Sequence, residues 1–225
     1  MDSMYERLRS LPLFQGVGPE RISELVERLP FHFLKFKQGE VIINAGDRCK
    51  GVRFVVSGSV RIVMESSDFD VKLLQTLSAP EVLGPDSLFG IDNTYPFAAY
   101  AATDCGIMQL TKADYMKMLM TDKVFLFNIL NYLSSNCQRH STILQMTQGN
   151  VAERLAREIT NLTTPRSTDV MLEFNPKDLC TLLDTDHDTL VKAFDQMAAH
   201  EIITHSTSKI EVLDVRALQT MFYPD

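Results

Sequence analysis

The residues best placed to do chemistry lie between Asn175 and Leu213. Pro176-Lys177-Asp178-Leu179-Cys180-Thr181-Leu182-Leu183 carries a short helix signal, and Asp184-Thr185-Asp186 a turn. A second helix signal runs from His187 to His200, and Ile202-Ile203 and Lys209-Ile210-Glu211-Val212-Leu213 read as two short strands. Helix, tight turn, helix, hairpin is the order of a winged helix-turn-helix, a module that offers a helix to the DNA major groove. Its chemistry is hydrogen bonding and charge, with no bond made or broken. Asp186 or Thr185 can cap the second helix, which leaves backbone N–H groups and a partial positive charge near a phosphate. Lys177 and Thr181 from the first helix, and Ser206, Ser208 and Lys209 from the wing, supply further candidate backbone contacts. Each of these also reads as an ordinary solvated surface residue.

Constellations for catalysis are weak or missing, so an enzyme is not expected. There is no Gly-rich phosphate loop followed by Lys, no nucleophile elbow and no His pair on one helix face. Asp184, Asp186 and Asp188 alternate without the remainder of a calcium loop, and read as capping and surface charge. His200 and His205 flank a strand with no carboxylate or cysteine partner in sequence reach. Cys49, Cys105, Cys137 and Cys180 are scattered, with no pair at metal-ligand spacing, so no metal site is expected. A disulfide framework is not expected at this length, which points to a reducing cytoplasm.

The chain has 225 residues, 45% hydrophobic and 23% charged, enough for one large domain or two small ones. No apolar run reaches the length of a spanning helix, and Met1 to Glu6 has no basic or apolar leader character. The formal charge is −7, and its distribution matters more than its total. Residues 1–150 carry 15 Lys and Arg against 16 Asp and Glu, a balance of −1. Residues 151–225 carry 7 against 13, a balance of −6. Steering toward phosphate needs the opposite sign, so a DNA contact here must rest on local basic residues against an unfavourable field.

Three blocks position these residues. Residues 3–30 read as helical, with Leu8, Leu11 and Phe14, and then Ile22, Leu25, Val26 and Leu29, recurring at helical spacing. Residues 31–111 change to a two-residue period in Phe31, Phe33, Val41, Ile43, Val52, Phe54, Val56, Val60, Ile62 and Met64, with Gly-containing turns between them. That pattern predicts an antiparallel roll or jelly roll. Ala79 to Ile91 reads as a loop with a helical turn, and Ala98 to Leu110 closes the strand set. Lys112 to Met120 reads as a short helix and Asp122 to Gln145 as a long one, with an apolar stripe through Phe127, Leu130, Leu133, Cys137 and Leu144. The stripe packs either on the roll or against a second copy of the helix; the sparse neighbouring chain favours the dimer seam. Gly149-Asn150 reads as a hinge, Val151 to Leu162 as a helix, and Thr163 to Ser167 as a loop before the helix-turn-helix.

A β-roll, a long connecting helix and a winged helix-turn-helix together resemble the CRP/FNR family of bacterial transcription regulators. In the roll the resemblance rests on Phe36-Lys37-Gln38-Gly39-Glu40-Val41-Ile42, Ala45-Gly46-Asp47, Phe54-Val55-Val56-Ser57-Gly58-Ser59-Val60-Arg61 and Leu83-Gly84-Pro85-Asp86-Ser87-Leu88-Phe89. Toward the other end it rests on Asp178-Leu179, Asp188-Thr189-Leu190-Val191-Lys192 and Lys209 to Asp214. The resemblance implies an effector pocket at Gly84, Pro85, Asp86, Ser87 and Tyr95. It also exposes departures. Cyclic-nucleotide-binding members carry a Gly-Glu pair and an Arg about ten residues on; here Gly84 is followed by Pro85, and the Arg position falls near Tyr95-Pro96. No Arg or Lys lies between Leu73 and Lys112, so a cyclic phosphate would be poorly neutralised and tight cyclic-nucleotide binding is not expected. The pocket is then either filled by side chains or taken by a different small-molecule effector. Cys49 stands alone where redox-sensing members carry a cluster, so an iron–sulfur centre is disfavoured. Haem has only His32, His140 and methionines as candidate ligands. In the recognition helix, the positions of the family's Arg, Glu and Arg are taken by His187, Asp188 and Lys192, with Thr189 in support. Asp188 can accept from a cytosine amino group, and Lys192 can reach guanine or a phosphate. Asp184 stands where the turn between helices calls for Gly.

The expectation is therefore an α+β chain: an antiparallel β-roll with N-terminal helices over residues 1–121, a dimerisation helix over 122–147 and a winged helix-turn-helix over 148–225. The expected partners are double-stranded DNA, a second copy of the chain, an unknown small-molecule effector and, by family resemblance, RNA polymerase; no membrane is expected. The alternative is a ligand-sensing or protein-interaction module that keeps the fold without binding DNA.

Overall fold

The computed structural model describes residues 4–145, 149–164 and 166–221. The chain folds as two units, Met1–Arg61 with Leu77–Gln138, and Ile62–Thr76 with Arg139–Asp225. In chain order the elements are α1 (Met4–Arg9), α2 (Pro19–Arg28), β1 (His32–Phe36), β2 (Val41–Ile43), β3 (Gly51–Ser57), β4 (Ser59–Glu65), β5 (Val71–Ser78), β6 (Glu81–Leu83), β7 (Ala98–Ala101) and β8 (Cys105–Thr111). Then follow α3 (Lys112–Thr121), α4 (Lys123–Gln145), α5 (Val151–Leu162), β9 (Thr168–Phe174), α6 (Pro176–Leu182), α7 (His187–Ala199), β10 (Ile203–His205), β11 (Lys209–Val212) and α8 (Val215–Thr220). The mixed helix and antiparallel-strand architecture is the α+β fold expected from the change of hydrophobic period.

In the first unit, β1, β8, β3 and β6 form an antiparallel sheet in that order, and β2 pairs with β7. The turn from β3 to β4 runs through Gly58 at φ +74°, where an added Cβ would stand 2.3 Å from the Asp104 carbonyl oxygen. Only glycine combines that dihedral with that approach. The core is sealed by Phe14, whose ring meets Phe54 and Phe125 edge-on at centroid distances of 5.5 and 5.6 Å. Phe54 comes from β3 and Phe125 from α4, so the N-terminal segment, the sheet and the start of the long helix share one apolar cluster.

Asp122 breaks the helical run between α3 and α4 with extended dihedrals, φ −139° and ψ 119°. One side of early α4 is committed to this unit: Phe125 and Ile129 are buried, and Asn128 Nδ2 donates to the carbonyls of Leu13 (3.2 Å) and Gln15 (2.8 Å). The other side is not: Phe127 is 59% exposed and Leu130 48%.

In the second unit, α5 starts with a reciprocal capping box between Asn150 and Glu153. Where the sequence reading passes from a loop directly to the helix-turn-helix, the structure places the strand β9. Val170, Leu172 and Phe174 are buried at every second position along it. That alternation is the period of a half-buried strand, although it is short and closes directly on the Pro176 helix start. The sheet of this unit runs β10, β11, β9, β5. Its inner face packs on α5, α6, α7 and α8 through Leu155, Ile159, Leu172, Leu179, Phe194, Ile210 and Leu218.

Candidate functional site

The polar end of α7 is built from the turn upward. Asp184 sits in the left-handed region at φ +46°, so the turn does demand a residue that tolerates positive φ. Its carbonyl accepts from Arg154 Nη2 at 3.4 Å, while Arg154 Nη1 donates to the Gly149 carbonyl at 3.3 Å. One arginine of α5 thus ties the start of that helix to the turn before α7. Asp186 is the N-cap: its carboxylate accepts from the Thr189 amide (2.9 Å) and the Thr189 hydroxyl (2.8 Å). These bonds, the backbone one first, hold the Asp186 carboxyl below its ordinary pKa.

Leu190, Ala193, Phe194 and Met197 bury one stripe of α7 at helical spacing. The opposite stripe is left to solvent, with Asp188 at 92% exposure and His187 and Lys192 also exposed. His187, Asp188, Thr189 and Lys192 therefore share one helix end, as the sequence reading expects, but the Thr189 hydroxyl is engaged in the cap. Lys177 and Thr181 are exposed on α6, where the Thr181 hydroxyl donates back to the Lys177 carbonyl at 2.9 Å. Ser208 and Lys209 lie at the wing, and Lys209 Nζ is paired with Glu211 at 2.6 Å. Asp195 belongs to the same exposed stripe, one turn beyond Lys192 and two beyond Asp188, and meets His205 Nε2 of β10 at 3.2 Å. The His205 ring also packs against Phe194, with centroids 5.3 Å apart. The sequence reading missed Asp195 and His205 as a pair because they lie on different elements, although the seven-residue step from Asp188 to Asp195 was visible.

A second cluster lies inside the roll. Gly84, at φ +49°, opens a 3-10 turn over Pro85–Leu88, with Pro85 and Ser87 buried and Asp86 exposed. A Cβ at Gly84 would stand 3.1 Å from the rings of both Tyr95 and Phe97. Tyr95 is 2% exposed, and its hydroxyl accepts from the Cys49 thiol at 3.1 Å. Burial, and then the bond to Cys49, push its pKa well above the usual phenol value. The Arg53 guanidinium lies 5.8 Å from the Tyr95 ring centroid and donates to Gln109 Oε1 (3.0 Å) and the Ile42 carbonyl (2.9 Å). Behind the turn, Lys112 Nζ donates to the Leu88 carbonyl at 2.7 Å and covers the Phe89 ring. The stretch from Leu73 to Lys112 lacks a cation, as read from the sequence, but the fold brings Arg53 in from β3. A search along the chain for an Arg near Tyr95 cannot find one supplied by a strand some forty residues earlier.

The stripe on α4 is visible through Phe127, Leu130 and Cys137, which are exposed, and Leu133, which is half-buried. Of the candidate haem ligands, His32 is exposed on the edge strand β1, and the side chain of His140 lies outside the described residues. Among the described residues no group of three or more His, Cys, Asp or Glu side chains is placed to hold a metal ion. Nor is any described helix long and apolar enough to cross a membrane.

Residues 33–122 match the cyclic nucleotide-binding domain family. Among curated proteins, the chain is 22% identical over 135 residues to the cAMP-activated global transcriptional regulator Vfr of Pseudomonas aeruginosa, covering 58% of this chain and 63% of that protein. It is 28% identical over 144 residues to the potassium channel KOR1 of Oryza sativa subsp. japonica, covering 62% of this chain but only 16% of the channel. Among solved structures, the Catabolite Activator Protein of Thermus thermophilus superposes with a TM-score of 0.55 at 20% identity, over 94% of this chain and 98% of that one. The domain match over residues 33–122 agrees with the β-roll that the motifs predict, and the likeness to the Thermus structure shows that the two chains share a fold.

Proposed function

We propose that this chain is a transcription regulator that reads DNA as a homodimer, with α7 of each copy entering successive major grooves about one helical turn apart. The observation that carries this reading is the solvent-facing polar end of α7, held on a capped helix-turn-helix frame with His187, Asp188 and Lys192 together. Asp188 accepts from a cytosine amino group, Lys192 donates to guanine or phosphate, and Lys177, Thr181 and Ser208 meet the backbone. Lys209 contributes less, because Glu211 already neutralises it. The exposed face of α4 at Phe127, Leu130, Leu133 and Cys137 supplies the dimer seam. An apolar stripe on a long helix is costly to leave in water and suits a second copy of itself.

The effector is not cAMP in this reading. The roll interior behind Gly84 is taken by the Tyr95 and Phe97 rings, and Arg53 is tied to Gln109 and Ile42. Fluorescence anisotropy against a pool of random duplexes tests the main claim. Binding that falls steeply between low and moderate salt, and that Lys192→Glu weakens at least about tenfold, supports it. The net charge of −6 over residues 151–225 favours a second reading, a module of the same fold that binds a ligand or a protein. No duplex binding at low salt by the wild-type dimer would make that reading the better one. Light scattering of Phe127→Asp/Leu130→Asp tests the seam: the expected product is a folded monomer, and an unchanged dimer would refute it.

A further inference from the structure

By sequence the β4–β5 hairpin is part of the roll; by packing, Ile62–Thr76 belongs to the unit that carries the helix-turn-helix. Its strand β5 pairs antiparallel with β9 from Val71↔Phe174 to Leu74↔Met171, and again at Thr76↔Thr168 after a register shift at Gln75. Leu73 is buried in the core of that unit, with Val71 and Met64 packed against it.

The polar contacts are those of a built joint. Gln75 is 2% exposed, and both ends of its amide are used. Nε2 donates to the Leu162 carbonyl at the end of α5 at 2.7 Å, and Oε1 accepts from the buried Ser167 hydroxyl. A buried amide is costly unless paired, so its partners define where β5 must lie. At the hairpin tip, the Asp70 amide donates to Asp178 Oδ2 (2.7 Å) in the first turn of α6, and the Asn175 amide donates to the Asp70 carbonyl (2.8 Å). Asp178 is one residue before Leu179, which anchors α6 in the same core as Leu190 and Phe194 of α7.

We propose that this hairpin is a positioning strand of the helix-turn-helix unit, and that Gln75 and Asp178 are positioning residues that touch no DNA yet hold α6 and α7 in place. The hairpin is continuous with the first unit at Arg61–Ile62 and Thr76–Leu77. A change in the roll that draws on β4 or β5 therefore pulls on the support of the recognition helix. The inference deepens the DNA-reading proposal and rests on it for its consequence, but not for its structural content.

The test uses the full chain and two readouts, backbone hydrogen exchange and duplex affinity. Gln75→Ala and Asp178→Ala are each expected to speed exchange in β9 and α6 about tenfold or more, with β3 and β8 unchanged. Duplex affinity is expected to fall about tenfold with them, and Asp178→Asn, which keeps an acceptor oxygen, to restore both. Unchanged exchange in β9 and α6 in both variants would overturn the strand assignment. Faster exchange with unaltered affinity would overturn the positioning role. Should wild type bind no duplex while exchange behaves as expected, the DNA-reading proposal falls and the strand assignment stands.

Discussion

The roll interior and the face of α7 are opposite solutions to placing polar groups. Beside Gly84 the buried Tyr95 and the half-buried Arg53 are already committed: Tyr95 to Cys49, and Arg53 to Gln109 and Ile42. Along α7, by contrast, the cap is committed but the stripe through Asp188 and Lys192 is left to water. A group whose bonds are made inside the chain contributes to a closed structure; a group left to solvent can trade water for a partner at little cost. The difference separates a part of the chain whose polar groups hold the fold from a helix face whose polar groups are free to meet a partner.

Replacing Tyr95 by Ala tests the closed side of that contrast hardest. Removing a buried aromatic ring is expected to lower unfolding free energy by about 3 kcal/mol or more, seen as a lower denaturation midpoint. A loss below about 1 kcal/mol would mean the space behind Gly84 is open and the contrast is false. The open side predicts the reverse: Lys192→Glu should leave the denaturation midpoint within about 0.5 kcal/mol of wild type while duplex affinity falls. A large stability loss there would show that Lys192 belongs to the fold and not to a reading face.

Asp184→Gly probes the frame beneath that face. Relief of the left-handed strain outweighs the added freedom of the unfolded chain, and stability should rise by about 0.5 kcal/mol. No gain, or a loss, would show that the Asp184 side chain has a role the backbone does not explain. The smallest effect is one of pH. The Asp186 carboxyl titrates lower in the folded chain than in the unfolded one, so its contribution is fully present above the unfolded value of about 3.9 and is lost as pH falls through the folded value. Amide exchange at Thr189 should therefore gain an acid-side increase that Asp186→Ala lacks, the variant being frayed at every pH.

Periodicity made most of this legible. The helical stripes of Ile22 and Leu25, the alternation from Phe31 to Met64 and the run from Pro176 to Leu213 each identify an element from local pattern, because side-chain direction repeats with the backbone. The exposed end of α7 was legible for the same reason: Asp188 and Lys192 are one turn apart. Strand β9 was not, since its alternation of Val170, Leu172 and Phe174 is brief and abuts a helix start. Nor was the place of β5, whose Leu73 and Gln75 look in sequence like any other strand residues of the roll.

What the sequence by itself determined is the set of elements, the glycines and Asp184 at the turns, and which helix faces are apolar. All of these follow from dihedral preference and hydrophobic period within about ten residues of chain. Only the tertiary structure decided which residues separated by tens of positions meet: Arg53 over Tyr95, Asp195 with His205, and Gln75 between Leu162 and Ser167. Such pairings depend on strand order and register, which local preferences do not encode, and on the requirement that each buried polar group find a partner somewhere in the folded chain.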